Sequence, residues 1–225
     1  MKSLNGLAGG LLAEQFRTLA FKFRGLRNKG HRTFAITSAK QDEGKTFVCV
    51  HLATQLSCEG EPVLLIDFDN RRPALHKYLG LKNERGFVDL ANSDGGLDLN
   101  AVLQEPQDNL FVVPSGPPAK EMRTTVRSES AMKTLLQQAQ RFSFILIDTP
   151  PILAVSDAQL ISPMADGIIL VVNSSSTKDK EVKTAKRMIE GAGGRIVGTV
   201  LNKFDLKFGM GNQKYYDDYV TPRSS

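Results

Sequence analysis

The stretch AITSAKQDEGKTFVCV, residues 35–50, constrains the fold more than any other part of the chain. An apolar run stops at a short polar loop, and Gly44, Lys45 and Thr46 then open a segment suited to a helix. Strand, loop and helix in that order match the phosphate-loop pattern G-x-x-x-x-G-K-[ST], except that Ala39 holds the first glycine position. Backbone N–H groups at such a helix start point at phosphate oxygens. Lys45 can reach the β- and γ-phosphates, and the Thr46 hydroxyl can ligate Mg²⁺. The candidate nucleotide-binding set is therefore Ala39, Lys40, Gln41, Asp42, Glu43, Gly44, Lys45, Thr46 and Phe47. A loop that binds nothing can carry the same letters, so the pattern needs support from elsewhere in the chain.

Two other apolar runs supply it. LLIDFDNRRP ends in Asp67 and Asp69, and FILIDTPP ends in Asp148. A carboxylate at one strand end is usually a turn or helix cap, but three beside a GKT loop suit a Mg-nucleotide. In an open parallel sheet ligands bind outside the carboxyl ends of the strands, so all three project toward the edge that holds the loop. RTFAIT, NLFVVP, DGIILVV and RIVGTVLN are further strand candidates, several of them apolar on both faces, as buried parallel strands are. Helices are expected at about 45–59, 129–141, 157–164 and 178–191, with capping boxes at Ser156/Gln159 and in STKD (176–179). Leu12, Phe16, Leu19 and Phe23 predict an amphipathic helix over 11–25. Residues 80–108 read as a surface excursion of short helices. The alternation of β and α implies an α/β fold, a doubly wound and mainly parallel sheet flanked by helices, over residues 1–205. Residues 206–225 read as a mobile tail.

Composition narrows the function classes. A net charge of +5 comes from scattered Lys and Arg, densest in FKFRGLRNKGHR, which reads as a solvated helix end; no nucleic-acid partner is expected. No apolar run approaches the ~20 residues that span a bilayer, so a cytoplasmic location is expected. Cys49 and Cys58, with three scattered histidines, make no metal-ligand cluster and read as small core residues. The tail is odd: three of the four tyrosines, Tyr215, Tyr216 and Tyr219, sit in KYYDDYV.

The order A-K-x-x-E-G-K-T, D-x-D-x-R-R-P and I-D-T-P-P, followed by ILAVSDAQL and DGIILVV, resembles the bacterial tyrosine kinases, or BY-kinases. The resemblance covers about residues 11–205 and implies the P-loop NTPase fold, with Walker A, A′ and B elements and a role in exopolysaccharide and capsule assembly. It implies ATP and Mg²⁺ as cofactors, with Lys45 and Thr46 on phosphate and metal. Asp69 and Asp148 would hold the metal, and Asp67 would accept the proton of an incoming tyrosine. Arg71 and Arg72 would meet phosphate or a neighbour's carboxylate, or remain solvated loop charges. Asn202, in NKFD, would touch the base. Tyr215, Tyr216 and Tyr219 would be autophosphorylated in trans. The implied partners are the cytoplasmic segment of a membrane chain-length-determinant protein as activator, further copies of the chain, and a protein-tyrosine phosphatase. That activator would hold the chain at the inner face of the membrane.

Some residues depart from the family pattern. Gln41 and Asp42 stand where relatives commonly have Pro-Gly, and Asp42 has to point away from the phosphates. The assembly element E-x-x-R-x-x-R keeps Glu14 and Arg17 but has Ala20 in its last position, which weakens the expectation of a ring. Two rival readings remain. One is a ParA/MinD-like positioning ATPase, since Lys40 has the spacing of that family's signature lysine. The other is a non-catalytic nucleotide-binding scaffold.

Overall fold

Alternation along the strands builds the molecule. In β1 (Thr33–Ser38), Phe34 and Ile36 face one side of the sheet and Ala35 the other. The same alternation holds in β2 (Val63–Asp67), β5 (Phe144–Asp148) and β6 (Gly167–Asn173), all buried throughout. Val63, Leu65, Phe144 and Leu146 pack toward one helical layer; Leu64, Ile66, Ile145 and Ile147 pack toward the other. Side chains two apart share a face. Asp67 and Asp148 therefore continue the first set, and they stand opposite each other in register.

The computed structural model describes residues 10–93, 96, 98–117 and 125–204. Seven strands run in the order β3-β4-β2-β5-β1-β6-β7, with β4 spanning Leu110–Val113 and β7 Ile196–Asn202. All neighbours are parallel except β3 (Gln104–Gln107), which pairs antiparallel with β4 at the edge. One face carries α1 (Leu11–Arg27), α2 (Lys45–Cys58) and α3 (Leu75–Leu79). The other carries α4 (Phe87–Asn92), α5 (Thr125–Gln138), α6 (Asp157–Ile161) and α7 (Asp179–Gly191). This is the expected doubly wound α/β sheet.

Four details depart from the sequence reading. β3 lies within 80–108, where only short helices were expected. QEPQ has no apolar alternation, and it is a strand because β4 offers it an open edge, where Pro106 is tolerated. Neither capping box forms: Ser156 makes no side-chain cap, and the first turn of α7 is closed by Glu181 accepting the Lys178 N–H at 2.8 Å. Cys58 is exposed at the end of α2, whereas Cys49 is buried. On α1, Phe16 and Phe23 are buried as expected, yet Leu12 is exposed, and Ala20 fills the space against α2. That packing accounts for a small residue at position 20.

Candidate functional site

The loop between β1 and α2 curls through Asp42 at φ 60° and Gly44 at φ 91°. Asp is among the side chains that tolerate this left-handed region, and Asp42 is exposed at the lining of the cleft that the loop borders. Gly44 is needed for space as well: a Cβ there would stand 1.9 Å from Asn202 Nδ2. That amide donates to the Glu43 carbonyl at 2.8 Å, and Lys203 Nζ donates to the Asp42 carbonyl at 2.7 Å. Both come from the end of β7, so Asn202 holds the loop itself. Lys203 was not singled out in the sequence, although it neighbours Asn202.

Beneath the loop lies the charged cluster. Lys45 Nζ is 3.2 Å from Asp69 Oδ2 and 4.0 Å from Asp148 Oδ1. Thr46 Oγ1 donates to Asp148 Oδ2 at 2.6 Å, while Asp148 Oδ1 is buried with no hydrogen-bond partner. A buried acceptor without a donor is costly in a protein interior, and this one lies beside a hydroxyl and an ammonium. Burial raises the Asp148 carboxyl to about 6 against the pull of Lys45 and the Thr46 hydroxyl. Burial on its own would lower the Lys45 ammonium, but Asp148 and Asp69 outweigh it and raise it.

Asp67 is sealed. Its Oδ1 accepts the Asp69 N–H, and its Oδ2 accepts the Ala74 and Leu75 N–H groups, each at 3.1 Å, so the carboxylate closes the start of α3. Burial first, and the facing Asp148 second, raise it to about 7. Asp69 instead lines an open cleft of about 650 Å³ with Lys45, Thr46, Arg72, Tyr78 and Asn202. Arg71 lies along the same cleft, its Nε 3.1 Å from Asp157 Oδ2 on α6. Tyr78, half exposed on α3, went unnoticed in the sequence because nothing in HKYLG marks it.

The donors suit Mg²⁺, a hard cation that takes one or two carboxylates and completes its shell with phosphates and water. Thr46, Asp69 and Asp148 would supply oxygen ligands, and the orphaned Asp148 Oδ1 is the atom a cation would satisfy. Among the described residues no group of three or more His, Cys, Asp or Glu encloses a metal without such help. Taken together, the arrangement can hold a Mg-bound polyphosphate against a lysine.

The other sequence-predicted residues divide. Phe47 is half-buried and packs on His51, with ring centroids 4.2 Å apart. Lys40 is turned away from the cleft, its Nζ 2.9 Å from Glu181 Oε2 on α7. Glu14 and Arg17 are exposed and pair with each other at 3.0 Å, far along the chain from the loop. Tyr215, Tyr216 and Tyr219 lie outside the described residues.

A family described as the CobQ/CobB/MinD/ParA nucleotide binding domain matches residues 34–218. The tyrosine-protein kinase YwqD of Bacillus subtilis is 30% identical over 203 residues, covering 89% of this chain and 82% of that protein. The tyrosine-protein kinase CpsD of Streptococcus agalactiae is 32% identical over 184 residues, covering 81% and 78%. The solved kinase domain of the Escherichia coli tyrosine kinase ETK is 27% identical and superposes with a TM-score of 0.82, covering 93% of this chain and 84% of that one.

Proposed function

Because the chain belongs to the bacterial tyrosine kinases, within the CobQ/CobB/MinD/ParA nucleotide-binding domains, we propose that it transfers the γ-phosphoryl group of ATP to protein tyrosines in the control of exopolysaccharide or capsule synthesis. The observation that carries this reading is the Thr46–Asp148–Lys45–Asp69 cluster beneath the loop at the strand ends.

In the reaction a phenol oxygen bonds to the γ-phosphorus, the bond to the bridging oxygen of ADP breaks, and the phenolic proton leaves. Loop N–H groups and Lys45 hold the phosphates in line, which is most of what phosphoryl transfer asks of a protein. Thr46, Asp148 and Asp69 would hold Mg²⁺, which would supply neutralising charge to the phosphates. The proton acceptor we assign is Asp67. Its rise to about 7 suits a base working near neutrality. Because Asp67 is fully buried, with the Asp69 N–H on Oδ1 and the Ala74 and Leu75 N–H groups on Oδ2, accepting the proton requires the turn before α3 to give way as the tyrosine enters.

The tail residues Tyr215, Tyr216 and Tyr219 are the proposed acceptors, offered to a neighbouring copy. Association through Glu14 and Arg17 then needs their mutual ion pair to open toward a partner. No helix among the described residues is long and apolar enough to cross a membrane, and a membrane protein's cytoplasmic segment is the proposed activator. It would hold the chain in the cytoplasm, against the inner face of the membrane. A tyrosine phosphatase would reset the cycle. Lys40, the residue behind the positioning-ATPase reading, is paired with Glu181, and the relatives named tyrosine-protein kinases favour the kinase reading over it.

The test is phosphotyrosine on the purified chain after incubation with Mg-ATP and an activator peptide, compared with Asp67→Asn. Wild type should label. Asp67→Asn should bind ATP and fail to label. A positioning ATPase or a scaffold would hydrolyse or bind ATP with no phosphotyrosine at all, and labelling of Asp67→Asn at the wild-type rate would remove the base from Asp67.

A further inference from the structure

Glu43 is 1% exposed, although it sits in a loop built to meet anions. Its carboxylate is taken up by two neutral donors. Oε2 accepts the Lys40 N–H at 3.0 Å, and Oε1 accepts the Thr177 hydroxyl. The Thr177 oxygen in turn accepts the Asn173 N–H at 3.2 Å. A hydroxyl has a single proton. With a donor already aimed at its oxygen, that proton goes to Glu43. A run of hydrogen bonds therefore leads from the end of β6, through Thr177 and Glu43, to the main chain at Lys40.

The loop has reason to need such a tie. Between residues 39 and 44 it has one glycine, Gly44, and it still bends through Asp42 at φ 60°. Asp tolerates that region better than most side chains but adopts it less readily than glycine, so contacts from outside help to hold the curl. Asn202 and Lys203 grip the carbonyls of Glu43 and Asp42 from the end of β7. Thr177 grips the Glu43 carboxylate from the turn before α7. The Asp42 and Glu43 carbonyls and the Glu43 carboxylate are thus all held by residues from outside the loop.

We propose that Glu43, oriented by Thr177, is a positioning residue: it fixes the phosphate loop in its binding curvature from behind and makes no contact with the nucleotide. The kinetic part of this proposal rests on the kinase reading, and the binding part does not. Without the tie, only a fraction of molecules hold the loop ready, and the apparent dissociation constant rises by the reciprocal of that fraction. Chemistry at saturating ATP is unaffected, because the tie touches no reacting atom.

Thr177→Val, Thr177→Ser and Glu43→Gln, each in the full chain, test it by titration with Mg-ADP and by KM and kcat for ATP. Thr177→Val should weaken Mg-ADP binding about tenfold or more, the scale of one hydrogen bond to a charged group. Thr177→Ser should restore it to within about twofold, since the hydroxyl returns. Glu43→Gln has one acceptor where two are used and loses the charge that strengthens both, so it should weaken binding at least as much as Thr177→Val. KM should rise with binding while kcat stays within about twofold, as expected when binding shared by the ground and transition states is lost. Wild-type Mg-ADP affinity in both Thr177→Val and Glu43→Gln would overturn the proposal, as would a fall in kcat with KM unchanged. If Thr177→Val does not fold, Glu43→Gln carries the test. If the wild type makes no phosphotyrosine, the kinase reading fails, and the Mg-ADP titration still decides the tie.

Discussion

Replacing Asp148 with Asn should make the nucleotide-free protein more stable and the Mg-ATP complex less so. In the folded chain the carboxyl of Asp148 is raised from 3.8 to about 6, because burial outweighs the help it receives from Lys45 and Thr46. A rise of roughly two units is about 3 kcal/mol held against the ionised form at neutral pH. Asn removes that charge and keeps an oxygen for the Thr46 hydroxyl. Its amide N–H group would take the place of the partnerless Oδ1 and give back part of the gain, roughly 1–2 kcal/mol. About 1–2 kcal/mol remains, which for a chain of this length is a rise of roughly 2–8 °C in Tm.

The pH dependence has a definite sign. Folded Asp148 and Asp67 keep their protons to about 6 and about 7, whereas the unfolded chain releases them near 4. Unfolding therefore releases protons in that window, and wild-type stability falls as pH rises from about 4 to about 7. The advantage of Asp148→Asn should be full at pH 8 and should turn, near pH 4, into a deficit of about 1–2 kcal/mol, because the cost of the unpartnered amide remains when the carboxyl is protonated. With Mg-ATP at about 100 times its dissociation constant, wild type should gain roughly 2.7 kcal/mol. The variant should gain little, having lost an anionic metal ligand, so the order of the two melting temperatures reverses. Thermal melts at several pH values, in chelator and in Mg-ATP, read all of this. A nucleotide-free variant that melts below wild type at pH 8, or one that keeps the full Mg-ATP increment, would refute the reasoning.

Lys45→Met should cut labelling by at least about a hundredfold, since it removes the cation that meets the transferring phosphate. It should also lower the nucleotide-free Tm at pH 8 and recover it near pH 5, where Asp148 is protonated; equal losses at both pH values would mean that Met is simply packed badly. Replacing Tyr215, Tyr216 and Tyr219 with Phe should abolish most self-labelling and preserve association in Mg-ATP. Glu at the same positions should favour monomers, because each phosphate that it imitates adds about −1.5 to −2 charges near the anionic site. Sedimentation of both tail variants with an activator peptide checks this, and identical association would leave the tail without a switching role.

The strands and the loop were legible in the sequence because their causes are local. β1, β2, β5 and β6 are apolar on both faces, and the carboxylates that matter stand directly after the last apolar residue. Gly44-Lys45-Thr46 stands out once the carboxylates at the ends of two other apolar runs support it, although Ala39 holds the pattern's first glycine position. β3 was not legible, because QEPQ becomes a strand only through an edge that β4 presents. Nor could the sequence say that Asp67 would be closed by Ala74 and Leu75 while Asp69 lines the cleft. Those carboxylates are two residues apart, and the difference lies in how the turn between β2 and α3 folds back on the first of them.

The partners of the loop were hidden for a different reason. Thr177 lies 134 residues from Glu43, and Asn202 lies 159 from it, so no window along the chain brings them together. They meet because β1, β6 and β7 are parallel neighbours, which carries the ends of β6 and β7 to the edge where the β1 loop begins. A parallel sheet gathers its strand ends at one edge whatever their order in the chain. Asp42, one of the two residues that make this loop atypical, is thus met by a residue from the far end of the sequence. Lys203 caps the Asp42 carbonyl, and Asn202 fills the space that Gly44 leaves open. Loop and clamp form one unit in the fold, so restoring Pro-Gly at 41–42 should loosen the dependence of nucleotide binding on Lys203. Pre-set curvature needs less support from outside. Mg-ADP titration of Lys203→Met in the two backgrounds measures that coupling: a loss of the same size in both would show that the clamp acts independently of the loop's own conformation.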